Sequence, residues 1–257
     1  IKQATPAYTF KVGVRELGWR CRSTLNPNEQ LIHPADYAGI KIAETLQDDT
    51  FRSFAQSVCQ NRFDRLARES QTSHLNIERV LPGLTEEEES LRLGVENKNQ
   101  ADLVEIRSFS NHESRDHLLA LSPLELFTLS HFARMENMTL EAMADEAIQN
   151  PGKWRERYNN YKYSLLFTLR RGKRGTHKYY CGWDVFTQLA YGNIRYLLEL
   201  VVQSLLDHVH DGKRLGESVA PEIQTLAAQR LGKKYVSELE GLSIHGAQLT
   251  KLLLALG

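Results

Sequence analysis

Cysteine is scarce in this chain: three in 257 residues, Cys21, Cys59 and Cys181, none close to another. No CxxC or Cys/His spacing results, which excludes a structural zinc of the usual kinds and a disulfide scaffold, and suggests a reducing compartment. Charge of one sign is also lacking. The 32 basic and 32 acidic side chains cancel, so no global field advertises a polyanionic partner and any basic patch must be local. No apolar run approaches the roughly 20 residues of a membrane span, and the N-terminus carries no signal-peptide pattern. A cytoplasmic protein without a membrane partner is the expectation. The nine histidines form no HExxH. His208 and His210 lie two apart, which does not bring them together on a helix, so no metal site is expected. A Gly-x-Ser-x-Gly elbow is missing as well.

A phosphate cradle is the next absence. Gly-Lys occurs at 152, 172, 212 and 232, followed by Trp154, Arg174, Arg214 and Lys234. A Walker A loop needs Ser or Thr there to bind Mg²⁺. No apolar strand ends in Asp-Glu to serve as Walker B.

What is present reads mainly as helix. Hydrophobic residues make up 41%, enough for one large domain or two small ones. Tyr8 to Arg15 alternates apolar residues at 8, 10, 12 and 14, which predicts a strand. Breakers at Gly18, Pro27 and Pro34 predict a loop, with a second short strand around Ile40 and Ile42. A helix follows from Thr50 to Arg68, with Phe51, Phe54, Ala55, Val58, Cys59, Phe63 and Leu66 on its apolar face. Residues 70–112 are polar and read as an insertion or linker. Within them Thr85 and Glu88 form a capping box, and Glu86 to Glu89 read as a solvated helix face.

Beyond 113 the pattern is helical throughout. Ser122-Pro123-Leu124-Glu125 is a capping box with proline at the first helical position. Helices are expected over 139–149, 151–170, 182–190, 221–231, 233–239 and 243–256. Arg170, Arg171, Lys173, Arg174 and Lys178 gather around Gly172 and Gly175. Such a turn either contacts a phosphate backbone or simply faces water.

The most informative stretch is Tyr191-Gly192-Asn193-Ile194-Arg195. Asn193 is a good helix cap, and Leu197, Leu198, Val201, Val202, Leu205 and Leu206 continue as a helical stripe. Arg195 then falls in the first turn, where the helix dipole disfavours a cation by roughly 0.3–1 kcal/mol. Two readings fit. Arg195 forms an i, i+4 pair with Glu199, worth about 0.2–0.5 kcal/mol, or an anion comes to meet it.

Gly192-Asn193-Ile194-Arg195, placed after a short helix and opening a long one, resembles the sensor 2 motif of AAA+ ATPases. Together with Tyr179-Tyr180-Cys181-Gly182-Trp183 it is similar to the bacterial initiator-like branch, related to origin-recognition proteins. The resemblance implies a trailing edge of a P-loop α/β core over 1–69, the insertion over 70–112, a helical lid over 113–212, and the start of a helical or winged-helix domain over 213–257. It implies that Gly192, Asn193 and Arg195 meet nucleotide, with Arg195 touching the γ-phosphate. Arg15 would fall near sensor 1, and Arg20 or Arg22 in the arginine-finger region. ATP and Mg²⁺ would be held mainly by residues upstream of Ile1, so this portion would not hydrolyse ATP alone. The absence of an initial methionine and the apolar end at 251–257 suggest a piece of a longer protein. An oligomer, a DNA or other nucleic-acid partner, and a role in mobile-element biology or phage defence are further implications. The competing reading is a non-catalytic helical interaction module or scaffold.

Overall fold

The computed structural model describes residues 11–14, 26, 28–41, 44, 48–69, 75–172, 174–242 and 245–256. The chain divides into two units, residues 1–50 and 51–257. In the first, residues 28–41 include turns held by local contacts. Asp36 accepts from the Ile32 N–H at 2.8 Å, and the rings of His33 and Tyr37 meet edge to face.

Of the strand expected over 8–15, only 11–14 are described, and they carry no strand pairing. Val12 and Val14 are 76% and 55% exposed, and Ile40, at the second expected strand, is 82% exposed. Alternation makes a strand only where a neighbour accepts the backbone groups and a layer covers the apolar face. Neither is present at these positions among the described residues. The small α/β part, the core edge, is therefore not seen there; Ile42 lies outside the described residues.

The second unit is helical. Its first helix, α1 (Asp48–Glu69), buries Phe51, Ala55, Cys59, Phe63 and Ala67 in an i, i+4 row. Phe54, expected on that face, is exposed. The row's inner edge meets α2 (Ile77–Val80): Gln60 donates to the Leu75 carbonyl at 2.6 Å and accepts from the Ile77 N–H at 3.3 Å.

Four helices follow: α3 (Glu86–Leu93), α4 (Val95–Ile106), α5 (His112–Ala120) and α6 (Pro123–Met135). Both capping boxes form as expected, Thr85 with Glu88 and Ser122 with Glu125, and Pro123 takes the first helical position of α6. Next come α7 (Leu140–Gln149) and α8 (Pro151–Leu169). Helix α6 is the centre of this half. Its Leu126, Leu129, Phe132 and Ala133 pack with Ile106, Leu118, Leu140 and Met143. Its Leu124 and Phe127 face the other way, onto Leu93, Val95, Leu165, Leu166, Leu169 and Cys181. Two cores thus share one helix.

The acidic run is not the solvated face that its composition suggests. Glu89 is only 5% exposed, pairs with Lys178 and accepts from the Tyr179 N–H at 2.8 Å. Glu87 accepts from the Ser122 hydroxyl at 2.7 Å and the Tyr158 hydroxyl at 3.0 Å. Glu86 pairs with Lys162. Only Glu88 serves its own helix end alone. Acidic side chains at a helix start gain from the dipole; here most of them also tie α3 to α8 and the segment after it.

The last part comprises α9 (Trp183–Ala190), α10 (Ile194–His210), α11 (Pro221–Leu242) and α12 (Gly246–Leu256). Helices 221–231 and 233–239 were expected as two; they are one. A glycine inside a helix costs about 1 kcal/mol against alanine, which does not break α11 when partners hold both sides of Gly232. Arg230 bonds both oxygens of Asp207 at 2.9 Å, and Lys234 donates to Glu199 at 2.8 Å. Fully buried Gln224 pins the start of α11: it accepts from the Gly182 N–H at 2.8 Å and donates to the Pro82 and Val219 carbonyls at 3.0 and 2.9 Å.

Candidate functional site

The turn between α9 and α10 is built as the sequence suggests. Tyr191 and Gly192 both have positive φ, 39° and 76°. Glycine adopts this freely and tyrosine rarely does. Asn193 then caps α10, its side-chain oxygen accepting from the Arg195 and Tyr196 N–H groups at 3.1 and 3.5 Å. The cap occupies those backbone donors, so Gly192 and Asn193 are seen here shaping the turn. An anion arriving at this end meets the Arg195 side chain first.

That side chain is 71% exposed and its Nε donates to Glu199 at 2.9 Å. The i, i+4 pair is thus formed, while the two terminal guanidinium nitrogens have no partner among the described residues. Glu199 is the junction. It also receives Lys234 from α11 at 2.8 Å, and the Tyr196 and Tyr235 rings lie beside it with centroids 4.5 Å apart and planes tilted by 42°. Hydrogen bonds from Lys234 first, then Arg195, hold the Glu199 carboxyl down to about 2. Burial, and then the same carboxylate, push the Tyr235 phenol up. The result is a charged clasp from Arg195 through Glu199 to Lys234 that joins the first turns of α10 to the middle of α11. Lys234 and Tyr235 were not singled out from the sequence as part of this site.

The basic tract divides. Lys178 is bound by buried Glu89. Arg170 donates to the Arg174 carbonyl at 2.8 Å within the loop, where Gly175 takes φ 105° against the guanidinium. Arg171 and Arg174 are exposed. Lys173, Arg15, Arg20 and Arg22 lie outside the described residues. The loop's far end is stitched down: the Tyr180 N–H donates to Thr225 at 3.0 Å, next to the Gly182–Gln224 bond.

Two cysteines are buried, and burial raises each thiol to about 11, so neither is poised as a nucleophile. No helix among the described residues is long and apolar enough to cross a membrane.

A match to a known family model relates the chain to the AAA+ class. The chain belongs to the ORC-CDC6-like family, whose family model matches residues 1–257. Neither the curated proteins nor the solved structures give a match.

Proposed function

We propose that this chain is the lid-bearing portion of an initiator-like AAA+ ATPase, with Arg195 acting as sensor 2. In this reading residues 113–212 form the lid and 213–257 begin a further helical domain. The polar stretch 70–112 joins the lid to a core edge over 1–69, where Arg15, Arg20 or Arg22 serve near sensor 1 or as a finger. The observation that carries it is the clasp: Arg195 stands exposed at the α10 N-terminus with its terminal nitrogens unengaged, and its Nε is linked through Glu199 and Lys234 to α11. A cation held at one end of such a link can transmit to α11 whether an anion has taken it.

The residues present fit ATP in part. Arg195 would contact the γ-phosphate, while the phosphates and Mg²⁺ would be held mainly upstream of Ile1, since no Gly-Lys here is followed by Ser or Thr. When bound, ATP supplies the phosphoanhydride whose cleavage changes the charge that Arg195 faces. Arg195 would stabilise that charge, and Glu199 would keep the guanidinium oriented. Oligomerisation and a nucleic-acid-linked process complete the reading, with the 170–178 tract as a phosphate contact.

The test is ATP turnover by the full-length protein beside Arg195→Ala. A contact to the phosphate predicts a loss of about 10-fold or more in turnover or nucleotide affinity. Unchanged kinetics in a folded variant would leave Arg195 as a surface residue of α10. A second reading, a non-catalytic interaction module, is favoured by the exposed Leu249, Leu252, Leu253, Leu254 and Leu256 of α12. It becomes the better one when the wild-type protein neither binds nor hydrolyses ATP.

A further inference from the structure

The charge balance of the whole chain hides a local excess. Between residues 151 and 178 there are nine Lys and Arg against a single acid, Glu156. Four of the nine are paired by carboxylates outside this stretch. Lys153 pairs with Glu146, Arg157 with Glu136, Lys162 with Glu86 and Lys178 with Glu89. Arg155, Arg171 and Arg174 have no carboxylate partner among the described residues and are exposed.

Helical periodicity places what lies between these arginines. Asn159, Asn160, Tyr163 and Phe167 fall on one face of α8, Arg171 follows in the turn past its end, and all five are exposed. Tyr163 and Phe167 are 54% and 50% exposed, which is unusual for two aromatic rings one turn apart. Glu86 lies close enough to raise the Tyr163 phenol, and the Lys162 ammonium lies 5.1 Å from its ring centroid. Two exposed rings and two amides cover about 12 Å of this face, at about 1.5 Å rise per residue, with Arg171 and Arg174 in the turn beyond its end.

We propose that this face of α8, continued by Arg171 and Arg174, binds single-stranded nucleic acid. Rings stack on bases, arginines take phosphates, and the Asn159 and Asn160 amides reach base edges. The ring spacing argues for a single strand. Tyr163 and Phe167 stand about 6 Å apart along the helix axis, nearly twice the roughly 3.4 Å between stacked bases on one strand. They suit bases already separated from one another, which a duplex does not present. Glu156, about one turn before Asn160 and about two before Tyr163 on the same side, marks the end of the footprint by repelling phosphate. This inference extends the nucleic-acid-linked reading of the 170–178 tract and rests on it.

The experiment is fluorescence anisotropy of the full-length protein with a labelled mixed-sequence 20-mer, as single-stranded DNA, as single-stranded RNA and as duplex, over a series of salt concentrations. Phe167→Leu keeps an apolar side chain and removes the stacking ring. It should weaken single-strand binding about 5- to 150-fold and leave the salt dependence alone. Arg171→Gln with Arg174→Gln should instead flatten the slope of log K against log salt by about 1.4, at roughly 0.7 per phosphate on a single strand. Thermal melts establish that each variant is folded. Duplex bound as tightly as single strand overturns the proposal. So does displacement of the strand by polyglutamate as readily as by unlabelled strand, or binding that both variants leave unchanged. ATP turnover measured on the same wild-type preparation separates this from the sensor reading. Turnover without single-strand binding overturns the α8 stripe alone, and single-strand binding that follows the two variants supports the stripe even if turnover is absent.

Discussion

Lys234 on α11 donates to Glu199 on α10 across 2.8 Å while Arg195, one turn earlier, holds the other oxygen of the same carboxylate at 2.9 Å. One anion thus serves two cations from two helices. The depression of Glu199 to about 2 gives a signed prediction. A group whose folded pKa lies below its ordinary 4.5 contributes stability that is complete above 4.5 and is lost as pH falls toward 2. Urea unfolding of the wild type and Glu199→Gln should therefore differ at pH 7, converge between pH 4.5 and 2, and coincide near pH 2. A constant difference across that range would show that the carboxylate's charge is not what joins the helices. The site is well exposed, so the difference will be small and will shrink with salt.

Glu89 and Lys178 make the opposite kind of pair, closed off from water on the acid side. Removing one partner of a buried ion pair typically costs about 3–5 kcal/mol, because the other charge is left without compensation. Lys178 keeps partial access to solvent, with a side-chain exposure of 21%, so the lower part of that range applies to Glu89→Gln. The amide still accepts from the Tyr179 N–H, and Glu89→Gln with Lys178→Met should recover much of the loss. Denaturant midpoints of the three variants decide it.

Gly83 and Gly182 touch through their backbones where Gln224 enters. A Cβ at Gly182 would lie 2.6 Å from the Gly83 Cα, and the residue has φ 96°. Gly182→Ala combines backbone strain with a steric overlap that no side chain can relieve, and should cost more than about 2 kcal/mol. Gly83→Ala meets nothing closer than 3.6 Å and should be far milder. Gln224→Leu keeps the volume and leaves the Gly182 N–H with the Pro82 and Val219 carbonyls unpaired, at about 1–3 kcal/mol for each buried group left unsatisfied. If all three variants melt together with the wild type, this junction does not hold α11 in place.

What could be read from the sequence is what is decided within a few residues. Thr85, Ser122 and Asn193 cap their helices because each side chain reaches only its own first turn. Arg195 and Glu199 were visible as a pair for the same reason. Lys234 was not, since its meeting with Glu199 depends on how α11 lies against α10. Glu86 to Glu89 misled because composition predicts exposure and only tertiary packing shows that Lys162, Lys178 and Tyr158 come to meet them. Gly232 looked like a helix break, and the clamps at Arg230 and Lys234 on either side override it. The alternation at Val12 and Val14 looked like a strand, but periodicity says nothing about whether a neighbouring strand is there.

Cys59 and Cys181 give the last prediction. Each sits in a core, Cys59 in the buried row of α1 and Cys181 against Leu93 and Leu166, and burial disfavours the thiolate, raising both to about 11. The thiolate is the reactive form, so at pH 8 both its fraction and its accessibility are small. In a Cys21→Ser background, Ellman's reagent should leave both thiols untouched in the folded protein. Two equivalents should react on unfolding in denaturant. Reaction in the native state would report local opening rather than acidity: at Cys59 it would mean that α1 lifts from its neighbours, and at Cys181 that the segment tied by Glu89 and Gln224 comes loose. Repeating the assay with Glu89→Gln separates these, because loosening that segment should accelerate Cys181 and leave Cys59 as slow as before.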